Sequence, residues 1–110
     1  MLRPVRLATL LVSLFWAISS SAADYYIDIT NKTGYIIWHL YVSPGKATDW
    51  EEDVLGSDVL PNGSMKRVTL KGYPSSIFDI RLIDEDGDTY TFWNVDVSSR
   101  DLEVTLDDLD

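Results

Sequence analysis

Apolar and polar residues alternate with a period of two through most of the chain after residue 23. In YYIDIT (25–30), Tyr25, Ile27 and Ile29 fall on one side. Such alternation marks a strand with one buried face. The strongest segment is YIIWHLYVS (35–43), apolar on both sides. Ile36, Trp38, Leu40 and Val42 share one face, which is assigned to the core with Trp38 in it. Tyr35, Ile37, His39 and Tyr41 share the other. Four further strands are predicted: 64–70 with Val68 and Leu70 inward, 76–84 with Phe78, Ile80 and Leu82 inward, 89–97 with Tyr90 and Phe92 inward, and 102–106 with Leu102, Val104 and Leu106 inward.

Turn chemistry punctuates these runs. NKTG (31–34), KGYPS (71–75), EDGD (85–88) and SSRD (98–101) are predicted turns, because Gly, Asn, Asp and Ser accept the dihedrals that turns need. Residues 44–63 form the longest irregular stretch. Within it Trp50 to Leu55 is expected to make one helical turn, with Asp49 as its cap and Gly56 as its stop. The tail DDLD (107–110) is expected to fray. Six or seven short strands, with turns every ~8–12 residues and no sustained helical period, predict an all-β fold. The architecture expected is a small antiparallel β-sandwich, immunoglobulin-like or similar. A small open barrel is the alternative.

The first 23 residues read differently. Arg3 and Arg6 precede an apolar run from Leu7 to Ile18, and small residues end with Ser21 and Ala23 before Asp24. That order predicts a secretory signal peptide over 1–23, leaving one domain over 24–110. The apolar run falls short of the ~18–20 residues that span a bilayer, so no membrane insertion is expected after cleavage. With no cysteine in the chain, no lipid attachment is expected at the cleavage site. The expected location is periplasmic or secreted.

Export changes the reading of the charge. The chain carries 9 basic and 18 acidic residues, and every acid lies at or after Asp24. Without Arg3 and Arg6 the domain has seven basic residues against 18 acidic, a net charge of −11. Such a surface repels nucleic acid and anionic lipid, so no nucleic-acid partner is expected. It suits solubility, a cation or a basic protein. No disulfide can staple the domain, and one histidine without cysteine argues against structural zinc.

Candidate chemistry is sparse. IDEDGDTYTF (83–92) places Asp84, Asp86 and Asp88 around Gly87. Counted as an EF-type loop from Asp84, Gly87 falls at position 4 where position 6 is needed, and position 12 is Val95 where a bidentate Glu is needed. The stretch reads better as a hairpin tip with Gly87 at positive φ. Calcium on Asp84, Asp86 and Asp88 is the competing reading, with residues 49–53 and Asp58 as further donors. No other cofactor is expected. Trp38, Trp50 and Trp93 join six tyrosines in residues 24–110, and exposed aromatics anchor partners or stack on sugars. Tyr35, His39, Tyr41 and Trp50 are the candidate binding residues. No G-x-S-x-G nucleophile motif is present, and His39 stands mid-strand without a sequence-adjacent orienting carboxylate, so no catalytic residue is assigned and no enzyme is expected. NKT (31–33) and NGS (62–64) match the N-glycosylation pattern, and at predicted turns they read as turn chemistry.

Asn31-x-Thr33-Gly34-Tyr35, then Leu40-Tyr41-Val42-Ser43-Pro44, then Trp50-x-x-Asp53-x-Leu55-Gly56, then Asp84-x-Asp86-Gly87 together resemble a family of small secreted bacterial proteins of unknown function. The resemblance spans most of residues 24–110. It implies a bacterial exported protein and carries no activity and no site residues. Some members bear the name argininosuccinate lyase, but a chain this short cannot build that large helical oligomer. The functional expectation is an exported acidic binding module, possessing no catalysis and inhibiting or neutralising a basic protein. A calcium-stabilised structural module is the alternative, and a small hydrolase the least favoured.

Overall fold

The computed structural model describes residues 22–99 and 101–110. The predicted signal peptide lies outside these residues except for its last two positions. Six strands follow in order: β1 Ala23–Lys32, β2 Ile37–Pro44, β3 Met65–Tyr73, β4 Ile77–Asp84, β5 Thr89–Asp96 and β6 Leu102–Thr105. A short 3-10 turn, Leu106–Asp108, ends the chain. Among the described residues there is no α-helix.

The strands form two three-stranded sheets, ordered β3-β1-β6 and β2-β4-β5. All pairings are antiparallel except β1 with β6, which is parallel. No ladder joins the sheets among the described residues, so the architecture is a sandwich and the open barrel is set aside. Ile27, Ile29, Val68, Leu70, Leu102 and Val104 face inward from the first sheet. Leu40, Val42, Phe78, Ile80, Leu82, Tyr90 and Val95 face them from the second. Burying one such side chain contributes about 1.5–3 kcal/mol, and this single layer replaces the disulfides that the sequence lacks.

Bulges on β2 and β5 break the alternation there, and a third register shift lies between Ala23 and Tyr25 in the β1–β3 pairing. Ile37 pairs with Asp84 but His39 pairs with Ile83, so Trp38 is an extra residue on β2. An extra residue reverses the facing of everything before it. Ile37 is therefore buried, whereas Ile36 and Trp38 point to solvent, Trp38 being 49% exposed. This corrects the placement of Trp38 in the core. On β5, Ile80 pairs with Phe92 but Phe78 with Val95. Asn94 takes φ 55° there, and its N–H donates to Asp79 Oδ1 at 2.8 Å. Inward facing then resumes at Val95 and Val97.

Residues 44–63 form no helical turn. They double back along the open edge of β2, where Asp53 bridges to Tyr41 and Leu60 to Ile37. Val54 N–H donates to Leu40 O, and Leu60 and Ile37 exchange both backbone bonds. The stretch thus shields an edge that would otherwise invite a foreign strand. The tail is also ordered. Thr105 caps the 3-10 turn, its Oγ1 accepting the Asp107 N–H and its own N–H donating to Asp108 Oδ2. Leu109 bridges to Tyr90, and Asp110 accepts from Thr89 Oγ1 and from the Thr91 N–H. β6 accordingly stops at Thr105, and Leu106 is exposed instead of inward. Asn31 and Lys32, expected in a turn, complete β1.

Candidate functional site

The outer face of the β2-β4-β5 sheet is a grid set by register. His39, Ile83 and Thr89 line up in one cross-strand row, and Tyr41, Arg81 and Thr91 in another. Ser43 lies beside Asp79, next to the bulge that follows Trp93. Onto this grid the 44–63 segment lays Trp50. Two tethers hold it: Glu51 N–H donates to Ser43 Oγ at 2.8 Å, and Asp53 is bonded to β2. The result is a chain of rings. His39 and Tyr41 stack with centroids 6.3 Å apart, Tyr41 and Trp50 meet at 6.4 Å, and Trp50 and Trp93 at 5.8 Å. These spacings lie within the attractive range for aromatic pairs. The Arg81 guanidinium lies 5.1 Å from the Trp50 ring centre while its Nε donates to Thr91 Oγ1 at 3.1 Å.

Of the candidate binding residues, His39, Tyr41 and Trp50 therefore come together. Tyr35 does not join them. It precedes β2 and is held through its carbonyl, which accepts from Asn31 Nδ2 at 2.7 Å. Trp93, 62% exposed, and Arg81 belong to the face and were not singled out by sequence. A signal for Trp93 existed: Tyr90, Phe92, Val95 and Val97 change spacing from two to three after Phe92. Alternation after Tyr90 and Phe92 turns Trp93 outward, and the left-handed Asn94 bulge lets inward facing resume at Val95.

His39 acquires the partner that sequence adjacency lacked. Its Nδ1 lies 2.7 Å from Asp53 Oδ2. Asp53 Oδ1 accepts the N–H groups of Leu40 and Leu55 at 2.9 and 3.0 Å. Burial pushes this carboxyl's pKa up, but the donors from Leu40, His39 and Leu55 outweigh it and hold it below its ordinary value. The pair orients an imidazole, as a catalytic dyad would. Tyr41 stacks on the ring, and Ile83 is the ladder partner of His39. The His39–Asp53 pair serves as the clamp that fixes Trp50.

Acid should release that clamp. The Arg67 guanidinium, bidentate on Asp28, holds the Asp28 carboxyl below its ordinary value. Ser98 does the same to Asp96, and Thr91 and Thr89 to Asp110 against the upward push of burial. A carboxyl with a depressed folded-state pKa stabilises the fold above its unfolded pKa, near 3.8. That stability is lost as pH falls through the lower folded value. Opposing it, the excess negative charge repels itself at neutral pH. The expected melting midpoint is highest near pH ~5 and drops steeply below ~4. The gap between wild type and Asp53→Asn should narrow across the same fall. Thermal melts from pH 2 to 8 test this; a gap that is constant with pH would remove Asp53 from the acid limb.

The acidic hairpin is built by its own bonds. Gly87 N–H donates to Asp84 O, and Asp84 N–H to Asp88 O, with Gly87 at φ 84°. The Asp84 side chain is buried. Its Oδ1 accepts from the Asp86 and Asp88 N–H groups at 2.9 and 3.0 Å, and its Oδ2 from Tyr90 OH at 2.9 Å. Burial, followed by this bond to Asp84, pushes the Tyr90 phenol up to about 12. Carboxylate oxygens of Asp84, Asp86 and Asp88 come within 4.8 Å of one another, but Asp84 Oδ1 already serves the turn and Oδ2 already serves Tyr90. Asp53, offered as a further donor, is bridged to Tyr41, four residues along β2 from the Asp84 partner Ile37. That is a separation of about 13 Å at 3.3 Å per residue.

No family model, no curated protein and no solved structure matches this chain, so its function is read from this face alone.

Proposed function

We propose that the protein is an exported, acidic binding module that grips a basic protein through the outer face of the β2-β4-β5 sheet and thereby inhibits or neutralises it. The observation that carries this reading is the contact chain Tyr41–Trp50–Trp93, held on the solvent side of a sheet by the Ser43 and Asp53 tethers. An exposed tryptophan is costly unless something covers it, and rigid aromatics are the side chains that dominate protein interfaces. The charge of residues 24–110 supplies the steering, since a net −11 speeds encounter with a cationic surface and disfavours acidic competitors. Export follows from the signal-peptide pattern of residues 1–23, which would place the partner outside the cytoplasm. Catalysis is not part of the proposal.

Trp93→Ala separates binding from folding. Trp93 is mostly solvated and lies outside the core, so its loss is expected to cost the fold less than ~1 kcal/mol. At an interface centre the same truncation costs ~2 kcal/mol or more, about thirtyfold in affinity. The test is interferometry of the purified protein against a panel of basic exported proteins, including a lysozyme-type hydrolase, at low and high salt. At least one should bind, more weakly in salt and about thirtyfold more weakly to Trp93→Ala. Binding that ignores Trp93, or a panel with no binder and no change in sensitivity of a deletion strain, would refute the proposal.

A further inference from the structure

Beside the packed indoles lies a cleft of about 80 Å³, whose lining includes Ser43, Thr48, Asp49, Trp50, Asp79 and Trp93. We infer that this cleft receives the cationic tip of one lysine or arginine side chain from the partner. The inference rests on the binding face proposed above and specifies its chemistry.

Three features converge on a cation. The first is size: the space holds several waters or a single side-chain tip, and it is open on the solvent side of the sheet. The second is the pair of aromatic walls. Indole faces attract ammonium and guanidinium groups, most strongly where water is excluded. The molecule already uses this chemistry, since Arg81 sits 5.1 Å from the Trp50 ring centre. The third is the sign of the remaining walls. Asp49 and Asp79 each bring a carboxylate, and Asp79 is fixed in direction because its Oδ1 accepts the Asn94 N–H at 2.8 Å. That bond also pins the bulge that follows Trp93. One carboxylate thus holds the bulge and charges the cleft. A sugar also stacks on indoles, but the pyranose ring wants a broad open platform with amide and hydroxyl partners; this narrow slot between two carboxylates favours a point cation.

Asp79→Asn combined with Asp49→Asn removes both charges and keeps an amide oxygen to accept the Asn94 N–H. The probes are tetra-arginine, tetra-lysine, the uncharged isostere tetra-citrulline and a chitin tetrasaccharide. The readout is the indole N–H resonances of Trp50 and Trp93, assigned with Trp93→Phe. Tetra-arginine or tetra-lysine should shift both resonances saturably and tetra-citrulline should not. The double variant should weaken the cationic peptides at least tenfold with an unchanged melt. Glu52→Gln with Asp86→Asn, which removes the same total charge elsewhere, should change affinity less than twofold. Equal weakening by that control would mean diffuse charge attraction and overturn the cleft. Shifts with the tetrasaccharide alone would make the face a saccharide platform and overturn it as well. If Trp93→Ala abolishes protein binding while the double variant does not, the aromatic face survives and the cation slot alone fails. If neither matters, both fail.

Discussion

Asp84→Ala is expected to lower the melting midpoint by roughly 15 °C, while Asp86→Ala, two residues away, leaves it within ~2 °C. The two aspartates look alike in DEDGD but do different work. The Asp84 side chain is buried and accepts three hydrogen bonds, from Asp86 N–H, Asp88 N–H and Tyr90 OH. Truncation leaves three donors without partners. The two amides lie at a turn and recover water, but the Tyr90 hydroxyl belongs to a residue with no exposed surface. A buried unsatisfied donor costs about 1–3 kcal/mol, and bonds to a charged acceptor contribute about 1.5–3 each. The sum expected is about 3 kcal/mol, and a domain of this size loses about 4–8 °C per kcal/mol. Asp84→Asn should fall between, because the amide oxygen can still accept from the turn and Tyr90 OH can rotate to accept from the new amide nitrogen. The same melts in EDTA and in saturating calcium, with magnesium as control, decide the competing reading. With both Asp84 oxygens engaged, no calcium-specific shift is expected. A rise of about 10 °C that Asp86→Asn abolishes would instead establish a metal site, since binding at a hundredfold excess over Kd adds about 2.7 kcal/mol.

Where the ladder is regular, sequence periodicity was a sufficient guide. Ile27 and Ile29, Val68 and Leu70, and Phe78, Ile80 and Leu82 all face inward as their alternation predicts. Facing was misread where a single residue is inserted. Trp38 looks like core because it lies two positions before Leu40, and its partner strand alone shows that it has no opposite number. The apolar spacing Ile37, Leu40, Val42 carried the same change from two to three that marks the β5 bulge. Such a break is informative only once neighbouring strands are paired, which is a long-range fact. The tail failed for another reason. Leu106 continues the period of Leu102 and Val104, but the Thr105–Asp108 capping box makes it the first residue of a tight turn. Local capping overrides period there.

The candidate face was half legible. His39 and Tyr41 follow from the alternation of β2, and Trp50 from composition. Their assembly did not follow, because it depends on the 44–63 segment lying back along β2. Asp53 is 14 residues from His39 in sequence, so no local motif announces the bond between them. The four sequence motifs, anchored on Asn31, Ser43, Asp53 and Asp84, fall on such junctions. Ser43 ties Glu51, Asp53 ties Leu40 and Leu55, and Asp84 ties its own hairpin. These are positions where a small polar side chain satisfies backbone groups that a loop would otherwise bury unpaired. The small polar residues of the motifs close the scaffold, whereas the binding surface proposed above takes Tyr41 and Trp50 from the same motifs and Trp93, Arg81 and Asp79 from outside them.

Asn31→Asp is the sharpest test of that division, and it is expected to destabilise the fold by about 3–5 kcal/mol. Asn31 is fully buried. Its Nδ2 donates to Tyr35 O at 2.7 Å and to Leu60 O at 2.9 Å. Its Oδ1 accepts from Thr33 N–H at 3.0 Å and Thr33 Oγ1 at 2.7 Å. Its backbone is paired as well, with Ser64 O and Gly63 N–H. One side chain therefore joins the end of β1, the approach to β2 and the segment that shields the β2 edge. With Nδ2 enclosed by two carbonyls, no glycan can attach, so the N-x-T pattern at 31–33 is structural. An aspartate is nearly the same shape and keeps the Thr33 donors on one oxygen, but it puts its other negative oxygen against both carbonyls, and a buried charge paired with acceptors costs several kcal/mol. The penalty has a sign in pH. The new carboxyl's folded-state pKa must lie above its unfolded value near 3.9, so the penalty is full above the folded pKa and vanishes below the unfolded one. A protonated carboxyl donates to one of the two carbonyls and recovers part of the lost bonding. Measured against wild type at each pH, the stability deficit of Asn31→Asp should therefore shrink by more than half between pH 7 and pH 4. Asn31→Ala, which has no titrating group, should show a deficit of about 3 kcal/mol that does not follow that slope. Parallel denaturant titrations of the three proteins at both pH values make the comparison. Equal slopes for the two variants would mean that the amide is not clamped between the carbonyls, and the junction would then be held by Thr33 and the backbone alone.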